Sequence, residues 1–119
     1  MQQMYQILPR AISPEELAAR LASVPAPVVL DLRKPEDYRA DPRLVPAAEK
    51  RDLGELSVWA RELPRDRFVV VYCQQGLSVA NAAVDALRAR GHPAVMIEGG
   101  FAAWHAAGLP LVDPPEPLR

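Results

Sequence analysis

The chain has 119 residues, enough for one domain around a single core, and its fourteen basic and fifteen acidic residues leave a net charge of -1. Half of the residues are apolar and 24% are charged, which excludes a disordered or fibrous chain, while the near-neutral balance excludes charge-driven binding to nucleic acid or an anionic membrane. The longest apolar run, Phe68 to Cys73, has six residues, against roughly twenty for a bilayer-spanning helix, and the opening Met1 to Gln6 lacks the basic-then-apolar order of a signal peptide, so a cytoplasmic address is expected.

Helix signals and short apolar runs alternate along the chain, separated by many of its 13 prolines. Ser13, Pro14 and Glu16 have the spacing of a helix start with a cap, a first-turn proline and a capping-box glutamate, and predict a helix to about Ser23. Val28 to Leu30 reads as a short buried strand, and Pro35 to Ala40 as a helical turn. Asp41 to Arg51 shows no period, only prolines and mixed charges, and is expected to be a loop. Asp52 and Glu55 repeat the capping-box spacing and predict a helix to about Leu63.

Phe68 to Tyr72 is the strongest strand, β-branched and aromatic, and is expected at the centre of the sheet. Ala80, Ala83, Val84 and Leu87 form one apolar helical stripe, ended by Gly91. Ala94 to Ile97 is a further strand and Phe101 to Ala107 a short helix stopped by Gly108. The domain is expected over residues 1–112, followed by an extended tail over 113–119. Strands separated by helices of this size imply an α/β fold with a parallel sheet covered on both faces. Ligands of such sheets bind beyond the carboxyl ends of the strands.

Cys73 stands at that place. As the single cysteine it can form no internal disulfide and no cysteine-rich metal site, so it is either inert packing or a nucleophile. The order strand, then Cys73-Gln74-Gln75-Gly76-Leu77-Ser78, then helix, puts the thiol beside backbone amides that have no intrahelical acceptors. Those donors and the positive end of the helix dipole favour an anion, and a thiolate is one. Gly76 permits a loop that curls around one sulfur. The alternative is a buried cysteine at a strand end with an ordinary turn glycine.

Three stretches together resemble the rhodanese (sulfurtransferase) family: Asp31-Leu32-Arg33 with Pro35, Cys73-x-x-Gly76 after Val-Val-Val-Tyr, and Glu98-Gly99-Gly100-Phe101-x-x-Trp104 leading to Gly108-Leu109-Pro110. The resemblance spans nearly the whole chain. It implies a single domain with a five-stranded parallel sheet and helices on both faces. It also implies Cys73 as the catalytic residue, which takes up a sulfane sulfur as a persulfide and passes it to a thiophilic acceptor, a thiol or cyanide. Gln74, Gln75, Gly76, Leu77 and Ser78 would then bind substrate, their amides cradling the terminal sulfur as an oxyanion hole does. The implied partners are a small sulfur donor and a thiol acceptor, or a thiol-bearing protein, with no cofactor and no metal.

The chain also departs from the family. No charge occurs from Phe68 to Val84, so weak use of an anionic donor such as thiosulfate is expected, and Ser78 either donates to substrate or caps the helix. The family's Gly-His-Ile-Pro-Gly-Ala run stands here as Arg43-Leu44-Val45-Pro46-Ala47-Ala48, after an extra Asp41-Pro42.

Asp31 and Arg33, at a strand end, can reach the cysteine loop or each other; the resemblance implies a supporting pair near the site. His92 and His105 read as cap and surface residues, Phe101 and Trp104 as core aromatics, and Glu98 either faces the site or binds the following glycine amides. A cysteine phosphatase would need arginine six residues after the cysteine, where Val79 stands. A non-catalytic sulfur-carrying or partner-binding module is the alternative to the enzyme. A thiol redox sensor would need a second thiol from outside the chain.

Overall fold

The computed structural model describes residues 8–115. In chain order the elements are β1 (Ala11–Ile12), α1 (Pro14–Arg20), β2 (Val28–Asp31), α2 (Pro35–Ala40), β3 (Ala48–Lys50), α3 (Leu56–Trp59), β4 (Val69–Tyr72), α4 (Ser78–Ala89), β5 (Ala94–Ile97) and α5 (Gly100–Ala106). The strands form one five-stranded parallel sheet in the order β1-β5-β4-β2-β3. β4 lies in the middle with all four residues buried, as its Val-Val-Val-Tyr sequence requires.

The two-residue period of β4 divides the core. Val69, Val71 and, one step beyond the strand, Cys73 pack with Leu56 and Trp59 of α3 and Ala80, Ala83, Val84 and Leu87 of α4. Val70 and Tyr72 point the other way, toward Leu17 of α1 and Phe101 and Trp104 of α5. Alternation along one strand therefore decides which helix the thiol meets.

Local chemistry sets the helix limits. Ser13 Oγ accepts from the Glu16 amide at 3.0 Å, while the Glu16 carboxylate turns forward to Arg20 at 3.1 Å. The helix stops at Arg20, three residues short of the expected end, and Ala22 to Pro25 continue as turn. α4 ends in a Schellman motif: Gly91 sits at φ 89°, its amide donates to Arg88 O, and the His92 amide reaches back to Leu87 O, both at 3.0 Å.

Two expectations change. The segment after Asp52 is not one helix but α3 between two 3-10 turns, Leu53–Glu55 and Ala60–Glu62. Asp52 caps the Gly54 amide at 3.0 Å, closer in sequence than a capping box, and so tightens the first turn. Within Asp41 to Arg51, Ala48–Lys50 forms the edge strand β3, paired with β2 from Val29↔Ala48 to Asp31↔Lys50. One side of an edge strand is solvated, so its sequence carries no apolar run. The two-residue β1 on the opposite edge likewise left no periodic signal.

Beyond α5, Trp104 Nε1 donates to Pro110 O at 2.7 Å, and Val112 bridges antiparallel to Leu44. This antiparallel bridge straps the last residue of the expected domain onto the β2–β3 excursion. Met1 to Ile7 and Glu116 to Arg119, including the ends of the expected domain and tail, lie outside the described residues. No helix among the described residues is long and apolar enough to cross a membrane, and no described His, Cys, Asp or Glu residues group as metal ligands.

Candidate active site

Cys73 leaves β4 on the α4 side and is a free thiol with 7% of its surface exposed. Its loop is positioned by backbone from the far side. Gly76 adopts φ 70°, and a Cβ there would lie 3.0 Å from Gly99 N and 3.2 Å from Ile97 O. Gly100, at φ 65°, is tighter still, since a Cβ would lie 2.5 Å from Cys73 O and 2.6 Å from Gly76 N. Only two glycines facing each other allow the start of α5 to come this close.

That contact has a chemical consequence. The Phe101 amide donates to Cys73 O and the Ala102 amide to Gln74 O, both at 2.9 Å, so the first loop carbonyls are tied to α5. The amides of Gln74, Gln75, Gly76 and Leu77 have no backbone acceptor among the described residues. The first loop carbonyls are engaged, while the amides that follow keep their N–H groups clear of backbone acceptors among the described residues. Gly99 and Gly100 thus shape the site although neither carries a side chain; the signal in the sequence was the glycine pair at a strand-to-helix turn.

The thiol opens into a cavity of about 310 Å³ lined by Cys73, Gln74, Gln75, Leu77, Ser78 and Val79, with Lys34 and Asp37 from the α2 side. Gly76 is absent from this lining and contributes through the backbone. Ser78 is the first residue of α4; the cap position belongs to Leu77, without a side-chain cap bond, so the capping alternative for Ser78 falls away. Gln74 Oε1 is buried without a hydrogen-bond partner among the described residues. Lys34 and Asp37 were missed as site residues. The loop is uncharged, as its sequence states, but the opposite wall carries one charge of each sign.

Asp31 and Arg33 join each other, and neither lines the cysteine cavity. Their fully buried side chains pair at 2.8 Å. Arg33 also donates to Asp41 O at 2.8 Å and Arg43 O at 2.9 Å, and its guanidinium lies 3.9 Å from the Phe101 ring centroid. The pair is a hub that holds the β2–β3 excursion against α5. Beside it Tyr72 Oη accepts from the Val45 amide at 3.2 Å, and burial, reinforced by the Asp31 charge, pushes the phenol pKa upward and keeps it neutral. Ala47 adopts φ 71°, a left-handed conformation, at the place where the family run carries its second glycine.

His92 serves the α4 cap through its backbone but is not a surface residue, being only 1% exposed. Burial, with the Arg65 charge, lowers its pKa against the opposing Ala60 carbonyl. His105 is exposed on α5 and stacks on Phe101 at 6.2 Å. Glu98 is exposed, with its amide donating to Ile12 O at 2.8 Å. None of these three lines the cysteine cavity.

Residues 13–107 match the family described as Rhodanese-like domain. The chain belongs to that family. A sulfurtransferase of Allochromatium vinosum is 32% identical over 104 residues, covering 87% of this chain and 94% of its own. A rhodanese-related protein of Thermoplasma volcanium superposes with a TM-score of 0.74 at 29% identity, covering 87% of this chain and 98% of that one. A thiosulfate sulfurtransferase of Pseudomonas aeruginosa matches at TM-score 0.73 and 32% identity over 87% of this rhodanese-like chain, which corresponds to 19% of the longer protein.

Proposed function

We propose that this rhodanese-like domain is a sulfurtransferase that works through a persulfide on Cys73. The observation that carries the reading is a free thiol at the start of a loop whose amides, Gln74 to Leu77, have no backbone acceptor among the described residues, while the carbonyls of Cys73 and Gln74 are held by α5. Free N–H groups converging on one point stabilise negative charge there at no cost of reorganisation. The relative that is named a sulfurtransferase supports the same reaction class.

In the first step the Cys73 thiolate attacks the sulfane sulfur of a donor. A Sγ–S bond forms, the bond from that sulfur to the donor breaks, and the donor leaves with the electron pair. In the second step an acceptor thiolate or cyanide attacks the terminal sulfur, the Sγ–S bond breaks, and Cys73 recovers its electron pair as thiolate. Each step is a displacement, so no redox partner or cofactor is required. In both, the terminal or departing sulfur is anionic, which is the species the loop amides favour.

Mass spectrometry tests this directly. Incubation with thiosulfate, mercaptopyruvate or glutathione persulfide should add the mass of one sulfur to Cys73, and Cys73→Ser should show none. Unmodified wild-type protein across all three donors overturns the enzyme reading and favours a partner-binding module.

A further inference from the structure

A second, larger cleft adjoins the cysteine cavity. Its volume is about 520 Å³, and it shares Lys34 and Val79 with the cavity around Cys73, so the two meet at those side chains. We propose that this cleft seats the body of the acceptor, a small organic thiol bearing a carboxylate, with its sulfur directed to Cys73. The inference rests on the sulfurtransferase reading and specifies the substrate class for it.

Charge and shape carry it. Lys50, at the end of β3, lines the cleft, and its ammonium donates to Arg51 O at 3.0 Å and lies 5.6 Å from the ring centroid of Tyr38, another lining residue. Among the described residues it has no carboxylate within ion-pair distance, nor do Lys34 and Arg39 on the same wall. Arg33 is buried, and all three of its guanidinium nitrogens already donate, to Asp31, Asp41 O and Arg43 O, so the cation of the cleft with the fewest partners is not this one. Asp52 is the acid in this lining, and its carboxylate caps Gly54.

Burial lowers the Lys50 pKa, opposed first by the Asp31 charge. A partly desolvated ammonium with one carbonyl partner gains from a carboxylate more than a hydrated one does. Tyr38 and Leu53 supply apolar contact for the carbon chain of the ligand. Transfer to cyanide or to a bare inorganic anion needs none of this volume. Pockets with apolar walls and a few placed charges are the usual seats of small organic ligands.

The test compares 3-mercaptopropionate with 2-mercaptoethanol as acceptors from persulfidated protein, since the two differ chiefly in the carboxylate. Wild type should show a lower KM for the acid. Lys50→Gln should raise that KM about tenfold, the loss of a charge-assisted hydrogen bond, with kcat and the alcohol's KM little changed, and Lys50→Arg should restore most of it. Equal KM values for the two thiols in wild type, or an unchanged ratio in folded Lys50→Gln, overturn the proposal.

Binding of S-methylglutathione to Cys73→Ser, followed by NMR, reads the cleft without any sulfur transfer. Shifts at Tyr38 and Leu53 that vanish in the added Lys50→Gln background support the subsite even if no persulfide forms. Their absence, with persulfide formation intact, overturns the subsite and leaves the enzyme reading standing.

Discussion

The cysteine loop and the β2–β3 excursion are both irregular segments packed against α5, but they are held in different ways. The loop is fastened by backbone, with Gly76 and Gly100 in close approach and two amides of α5 on loop carbonyls. The excursion is fastened by side chains, chiefly the Arg33 guanidinium shared among Asp31, Asp41 O and Arg43 O. Backbone fastening leaves donors free for chemistry. Side-chain fastening consumes them, so the buried arginine supports the region without presenting charge to the cavity.

The largest effect should follow from breaking the side-chain hub. Arg33→Met leaves Asp31 buried without its counter-charge and two carbonyls without a donor, and should cost about 3–5 kcal/mol of stability in denaturant unfolding. A loss below about 1 kcal/mol would mean that the excursion stands without the hub.

On the loop side, Gly100→Ala puts a methyl 2.5 Å from Cys73 O at a φ of 65°. Relief requires α5 to withdraw, so persulfide formation should slow at least about tenfold, with stability falling by about 1–3 kcal/mol. Stability lost with the loading rate kept would separate the seat of the loop from its chemistry.

A smaller effect of opposite sign sharpens the contrast. Ala47 holds φ 71° with a Cβ, and Ala47→Gly should relieve about 1–2 kcal/mol of left-handed strain, partly offset by glycine's greater chain entropy. A higher denaturant midpoint with unchanged sulfur loading is the expected result, and a lower midpoint would show that the excursion does not carry this strain.

The smallest effect concerns His92, remote from both segments. Its folded pKa lies below the ordinary 6.5, so the unfolded chain takes up the proton more readily. The stability it contributes is fully present above about pH 6.5 and is lost as pH falls through that value toward the folded pKa. Denaturant midpoints between pH 7 and 5 should fall less steeply in His92→Gln, and equal slopes would contradict this linkage.

The same contrast explains what the sequence disclosed. Val69 to Tyr72, the Ala80 to Leu87 stripe and Cys73 after the strand carry period and spacing, and these are local properties. β3 was illegible because Ala48, Glu49 and Lys50 form a half-solvated edge whose pairing with β2 is non-local. The single helix expected after Asp52 failed because Asp52 caps the Gly54 amide and tightens the first turn into a 3-10 segment. Gly99 and Gly100 were visible as a pair, but their closeness to Cys73 O is a tertiary fact. Lys34 and Asp37 are nearly forty residues from the cysteine and reach its cavity only because β2 lies beside β4.

The central claim is that loop amides, and no histidine base, carry the sulfur chemistry. The decisive measurement is the rate of persulfide formation on Cys73 in Gly76→Val beside His92→Gln and His105→Gln, with folding checked by circular dichroism. A Cβ at Gly76 would press on Gly99 N at 3.0 Å and Gly100 N at 3.1 Å, and a β-branched residue strongly disfavours the φ of 70°. Loading should therefore be abolished in folded Gly76→Val and nearly intact in both histidine variants. Wild-type loading in Gly76→Val, or a large loss at either histidine with a shifted pH profile, would contradict the claim.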